Sequence, residues 1–173
     1  VNVSAANKAE VLDFITGRLR SWVEEQDWPR DVISAVLAEQ SANPYRALEG
    51  IRQLSEWVKR NNWSSLLDGF ARCVRITRAE TERYGVNPDL LVEGAEKHLY
   101  TVYVEAWSRL EPTDNVDAFL NAFEPMLPAI SDFFEKVMVN VEDEAVRRNR
   151  LGLLQTISAM QRGRADLSFL SGF

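Results

Sequence analysis

Residues 133–154 read FFEKVMVNVEDEAVRRNRLGLL, and the fold class turns on how this run is phased. Val137, Met138, Val139 and Val141 form an apolar entry. Glu142, Asp143 and Glu144 follow, where carboxylates complement the positive end of a helix dipole. Arg147, Arg148 and Arg150 then crowd around Asn149. At about 100° per residue, Val146, Leu153, Leu154, Ile157 and Met160 share one arc of a helix. Arg150 falls inside that arc, so it is expected to be a buried structural charge that needs a carboxylate or carbonyl beside it. Arg147, Arg148, Gln155 and Arg162 fall on another face, and those arginines are expected to stand open to an anion. Gly163 is expected to end the helix, and Asp166 to Phe173 to pack as an apolar tail.

Outward from this run, the same helical period recurs. A first helix is expected from Ser4 or Asn7 to about Gln26, with Val11, Phe14, Ile15, Leu19, Trp22 and Val23 as its apolar stripe. Pro29 opens a second, carrying Val32, Ile33, Val36 and Leu37. Gln40 to Asn43 reads as a polar turn. Asn43 then caps and Pro44 opens a third helix with Ala47, Leu48, Ile51, Leu54, Trp57 and Val58 inward. Asn61 and Asn62 break it, and Trp63 reads as a corner filler rather than a base-stacking side chain. A fourth helix is expected from about Ser64 to Tyr84, ended by Gly85. Its inner arc is Leu66, Leu67, Phe70, Cys73, Val74 and Thr77. Arg72, Arg75, Arg78 and Arg83 lie on the opposite arc, a basic ridge that is either solvated surface balanced by Asp68, Glu80 and Glu82 or an anion site. Asn87 and Pro88 open a fifth helix to Leu110, with Leu91, Ala95, Leu99, Val102 and Ala106 inward and Tyr100, Tyr103 and Trp107 adding bulk. A sixth begins near Val116 and is interrupted by Pro125 and Pro128, because proline removes a donor and crowds the preceding turn. No strand-like alternation runs beyond a few residues. The fold class is therefore all-α, a single helical bundle of about seven helices over residues 1–173.

Composition narrows the chemistry. The chain has 173 residues, 20 Lys and Arg against 26 Asp and Glu, one His and one Cys. That length can bury a sizeable core. A single cysteine, Cys73, excludes an internal disulfide and a cysteine-based zinc site, and it is consistent with an intracellular, cytoplasmic location. No apolar run reaches the length of a membrane span. The sequence does not begin with Met and reads as a piece of a longer protein. His98 reads as a surface residue, since one His and one Cys supply no supported catalytic pair. No phosphate-cradling glycine loop and no metal-ligand spacing occurs, so the piece is expected to be non-catalytic and to hold no metal or cofactor. A net charge of −6 is unlike a general nucleic-acid binder. From Arg147 onward, however, five arginines face one acid, Asp166, a local reversal that suits a site-specific one.

The run EDEAVRRNRLGLLQTI followed by ADLSFL, together with FITGRLRSWVEEQ, DVISAVLA, ARCVRIT and NPDLLVEGAEKHLY, resembles the C-terminal region of bacterial glycyl-tRNA synthetase beta subunits, or of the fused alpha-beta form. Val137-Met138-Val139, Glu142-Asp143-Glu144, Asn149-Arg150-Leu151 and Ala165-Asp166-Leu167-Ser168 carry it in order, and the likeness covers nearly the whole chain. Asn140-Val141 departs from the usual Met-Ala, and Arg148 from a usual Asn. The RLxLL ending also occurs in the arginyl-tRNA synthetase family, whose related anticodon-binding domain is an alternative reading that the long match outside RLxLL speaks against. The resemblance implies an all-helical anticodon-binding domain that grips the anticodon loop of glycine tRNA, within a parent enzyme that joins glycine to tRNA using ATP and magnesium. Other domains of the synthetase or its alpha subunit are the further partners implied. Arg72, Arg75, Arg78, Arg147, Arg148 and Arg162 are then the candidate RNA contacts. The competing reading is a helical module that docks on other proteins through the same arginines.

Overall fold

The computed structural model describes residues 5–173. Eight α-helices follow one another there: α1 (Ala5–Glu24), α2 (Arg30–Gln40), α3 (Pro44–Trp57), α4 (Trp63–Thr77), α5 (Gly94–Trp107), α6 (Val116–Phe123), α7 (Leu127–Lys136) and α8 (Glu144–Ser158). No strand occurs among the described residues, and the all-α expectation holds. The eighth helix arises at the prolines: α6 and α7 are joined by one tight turn, Glu124–Met126, with Pro125 inside it and Pro128 in the first turn of α7. Ser4, one of the two expected starts of the first helix, lies outside the described residues.

α4 packs on α8, α2 on α3 and α5 on α7, and the buried side chains form one continuous cluster. Phe70 sits at its centre, edge-on to Phe119 at 5.9 Å and to Phe123 at 5.3 Å, the arrangement ring quadrupoles favour. Trp63 is buried, as a corner filler must be. The Asn43 cap forms as read: its side chain accepts from the Arg46 amide. Gln40, read as part of a polar turn, is instead the last residue of α2; it is buried and donates to the Arg164 carbonyl.

Three further expectations are corrected. First, the stripe of α1 is largely outside the core: Leu19 and Val23 are buried, but Val11, Phe14, Ile15 and Trp22 are exposed, Phe14 by 69%. α1 packs on α2 and α3 through its second half, so the apolar face of its first half has no described element beside it. Phe14→Ser is accordingly expected to change unfolding free energy by no more than about 0.5 kcal/mol, measured by urea denaturation of this chain. Losses near those of a core truncation would show that the face is covered. Second, α4 stops at Thr77, seven residues before Tyr84. Arg78 to Arg83 carry Ala79 as their one apolar side chain, and a helix there would have no stripe to bury. Gly85 is no left-handed cap; among the described residues only Gly163 and Gly172 have positive φ. Third, Asn87 and Pro88 open one short turn, Pro88–Leu90, rather than α5. α5 starts at Gly94, after Glu93, where the Glu96 carboxylate reaches back to the Glu93 amide at 2.8 Å.

Candidate nucleic-acid interface

α8 positions the candidate site. Asp143 caps it, accepting from the amides of Ala145 and Val146 at 3.0 and 3.1 Å, so the acidic start has a local structural role. Two turns beyond the cap, Arg150 enters the interior with 5% of its surface exposed. Its Nε donates to Glu96, which is wholly buried, and its Nη1 donates to the Met138 carbonyl at 2.7 Å. The second Glu96 oxygen accepts from the Val92 amide at 2.6 Å as well as from Glu93. One carboxylate thus ties the start of α5 to the middle of α8, and Arg150 ties α8 to the connection that precedes it.

The face of α8 that carries Asn149, Gly152 and Gln155 holds the backbone that replaces the expected end of α4. Asn149 accepts from the Asn87 amide at 2.7 Å and donates to the Asn87 carbonyl at 3.0 Å. Gln155 accepts from the Tyr84 amide at 2.9 Å and donates to the Glu82 carbonyl at 2.8 Å. Gly152 lies between them. A Cβ there would stand 3.0 Å from the Tyr84 carbonyl oxygen and 3.1 Å from that of Gly85. Side-chain amides therefore satisfy four backbone groups of this non-helical segment, and a glycine lets it approach the helix. The spacing Asn149, Gly152, Gln155 is the signal that could have revealed this, since residues three apart share a helix face.

The candidate arginines do not form one ridge. Arg147 pairs with Glu80 at 3.0 Å and with Glu144 at 3.2 Å, and Arg148 pairs with Glu144 at 2.7 Å. The expectation that both stand unpaired is corrected: Glu144 precedes them by three and four residues, the spacing at which helical side chains meet. The Arg148 hydrogen bond, with a second from Arg147, holds the Glu144 carboxyl below the usual carboxylate range. The Arg148 guanidinium also lies 5.6 Å from the Tyr84 ring centre. Arg72 leans over Phe134 at 4.4 Å, toward α7, whereas Arg75 lies 5.7 Å from Phe173 and 3.8 Å from Asp68. Arg78, Arg83 and Arg162 are exposed, and none of them pairs with a carboxylate among the described residues. Arg83 is on the non-helical segment, not on α4.

Two of these open arginines share a groove. Arg83 and Arg162 both line a 270 Å³ depression between the segment after α4 and the end of α8, with Glu39, Glu80, Glu82 and Gln155 also lining it. It offers cations, carboxylates and an amide within one concavity. Among the described residues no group of three or more His, Cys, Asp and Glu is placed to hold a metal ion, and no helix is long and apolar enough to cross a membrane.

No family model matches the chain. Known proteins do: it is 35% identical over 162 residues to the glycine--tRNA ligase beta subunit of Persephonella marina, covering 92% of this chain and 23% of that one. The chain is homologous to part of the glycine--tRNA ligase beta subunit. The beta subunit of Geotalea daltonii is 35% identical over 166 residues, covering 94% of this chain and 24% of the relative. The chloroplastic/mitochondrial glycine--tRNA ligase 2 of Arabidopsis thaliana is 30% identical over 173 residues, covering 99% and 16%. The chain thus spans about a quarter or less of the length of the glycine--tRNA ligases it matches. Its homologues are aminoacyl-tRNA synthetases by name, and the expectation drawn from the quoted motifs holds at that level.

Proposed function

We propose that residues 1–173 are the anticodon-binding domain of a glycine--tRNA ligase, gripping the anticodon loop of glycine tRNA while catalysis takes place elsewhere in the parent enzyme. In that parent, glycine activation would consume ATP with magnesium, in the cytoplasm, and the rest of the synthetase or its alpha subunit would be the second partner. The observation that carries the reading is the groove of mixed charge beside Arg83 and Arg162, in a chain related throughout to part of the beta subunit. Glycine anticodons carry cytosines at their second and third positions. The pairing edge of an unpaired cytosine presents an amino donor beside two acceptors, so its reader needs a carboxylate or carbonyl next to a cation or amide. Glu39, Glu80 and Glu82 supply the former, and Arg83 and Gln155 the latter.

The phosphates would be met by Arg78 and Arg162, which need give up no carboxylate, and by Arg75 and Arg148, whose exposed pairs are weakly held in solvent. Arg72 and Arg147 are the less available members of the set, one leaning on a ring and the other held by two carboxylates. Fluorescence anisotropy with a glycine-anticodon stem-loop tests this. The chain is expected to prefer that loop over one with both cytosines replaced, and neutralising Arg162 is expected to lower the salt slope by about one. Equal affinity for the two loops would refute anticodon reading.

A further inference from the structure

A second groove adjoins the first across Arg162 and Ala159. It encloses 390 Å³ between the last turn of α5, the loop that follows and the end of α8, and Tyr103, Trp107, Pro112, Thr156, Arg162 and Arg164 line it. Tyr103 and Trp107 are one helical turn apart with their rings stacked, 6.3 Å between centres and 21° between planes. Tyr103, half-buried against the core, is the inner ring. Trp107 is the outer ring, and 46% of it is exposed. An indole backed by a second ring and open on the groove is a large apolar platform that loses little freedom on binding.

The same groove carries unanswered positive charge. Arg164 is 4% exposed. Its guanidinium donates to the carbonyls of Glu111 at 2.8 Å, Met160 at 3.0 Å and Arg162 at 3.2 Å, and it has no carboxylate within ion-pair distance among the described residues. Its Nε is buried without an acceptor. Burial lowers the pKa of this guanidinium, with Asp114 acting the other way. A buried cation hydrogen-bonded to carbonyls and to no carboxylate brings positive charge to the groove wall. Arg162 stands at the mouth, exposed. The exposed Glu111 is the acid of the lining.

We propose that this groove takes one unpaired nucleotide of the bound RNA, its base stacked on Trp107 and its phosphate drawn to Arg162 and the field of Arg164. The proposal rests on the RNA-binding reading above and adds a platform distinct from the polar groove. An apolar peptide would cover the rings but leave the cations unanswered. An acidic peptide would do the reverse. A nucleotide brings a π-face and an anion together, and every base has such a face.

The test measures stem-loop affinity for this chain and for Trp107→Ala, Trp107→Phe and Arg162→Gln. Because Trp107 is half exposed, the variants are expected to keep the far-ultraviolet spectrum of the parent chain. Trp107→Ala should weaken binding about tenfold, and Trp107→Phe, which keeps a ring, should lose much less. An abasic substitution in the loop should abolish the difference between the parent chain and Trp107→Ala at the one position that stacks there. Unchanged affinity in Trp107→Ala, with cytosine preference intact, overturns the proposal and leaves the anticodon reading standing. A loss in Trp107→Ala without cytosine preference supports the groove as a nucleotide site and removes the anticodon reading. Absence of RNA binding by the folded chain overturns both.

Discussion

Arg150→Met is expected to destabilise the chain by about 3–5 kcal/mol, the magnitude for stranding one member of a buried ion pair. The residue that suffers is Glu96, which has no exposed surface. With Arg150 gone, its carboxylate would retain the amides of Val92 and Glu93 but no cation. The Met138 carbonyl would lose its donor as well. Methionine fills a similar length without supplying either bond. Arg150→Lys separates charge from geometry: an ammonium can answer Glu96, but it lacks the planar fork that also reaches Met138, so an intermediate loss is expected. Combining Arg150→Met with Glu96→Gln should recover part of the deficit, because no uncompensated charge then remains inside. Urea unfolding followed by circular dichroism decides the point, read as a shift in midpoint at constant m-value. A loss below about 1 kcal/mol for Arg150→Met would mean that the pair behaves as a surface ion pair, and that the start of α5 does not depend on α8.

The burial of Arg150 was legible in the sequence because helical phase alone puts it among Val146, Leu153, Leu154 and Ile157. Its partner was not, since Glu96 lies 54 positions away and nothing local marks it beyond its place three residues after Glu93. The same division runs through the chain. Apolar periodicity locates α2, α3, α6 and α8, because each buries its stripe against a neighbour. It fails for α1, where a stripe of helical period faces outward, and periodicity says nothing about whether a neighbour exists. It fails again at Arg78 to Gly85, where a polar continuation of α4 reads as helix although Arg78 to Arg83 have no apolar stripe to bury. The candidate site suffered from both limits. The Glu144 pairing with Arg147 and Arg148 could be read from spacing, whereas the contribution of Glu80 needs the fold to bring α8 beside the end of α4. Tyr103 and Trp107 read as bulk because their exposure is a tertiary property.

The segment after α4 offers the second large effect, and there two opposing terms set the sign. Gly152→Ala is expected to be close to neutral: alanine gains about 1 kcal/mol of helix propensity over glycine, against a methyl 3.0 and 3.1 Å from two backbone oxygens. Gly152→Val removes the gain and adds bulk. It cannot be housed without moving Tyr84 and Gly85, so a loss of about 2–3 kcal/mol is expected, in the range for overpacking a close contact. Asn149→Ala should lose a similar amount by the opposite route, since it leaves the Asn87 amide and carbonyl unanswered where Asn149 is 3% exposed, at about 1–3 kcal/mol per stranded group. If the face acts as one clasp, Gly152→Val and Asn149→Ala combined should cost less than the sum of the two, because either alone already lifts the segment. Strict additivity would show that Asn149 and Gly152 hold separate things. The clasp also reaches the site, because Arg83 sits between the two residues that Gln155 grips, Glu82 and Tyr84. Gly152→Val is therefore expected to weaken glycine-anticodon stem-loop binding at temperatures where the chain is still folded, through misplacement of an arginine that the substituted position never touches.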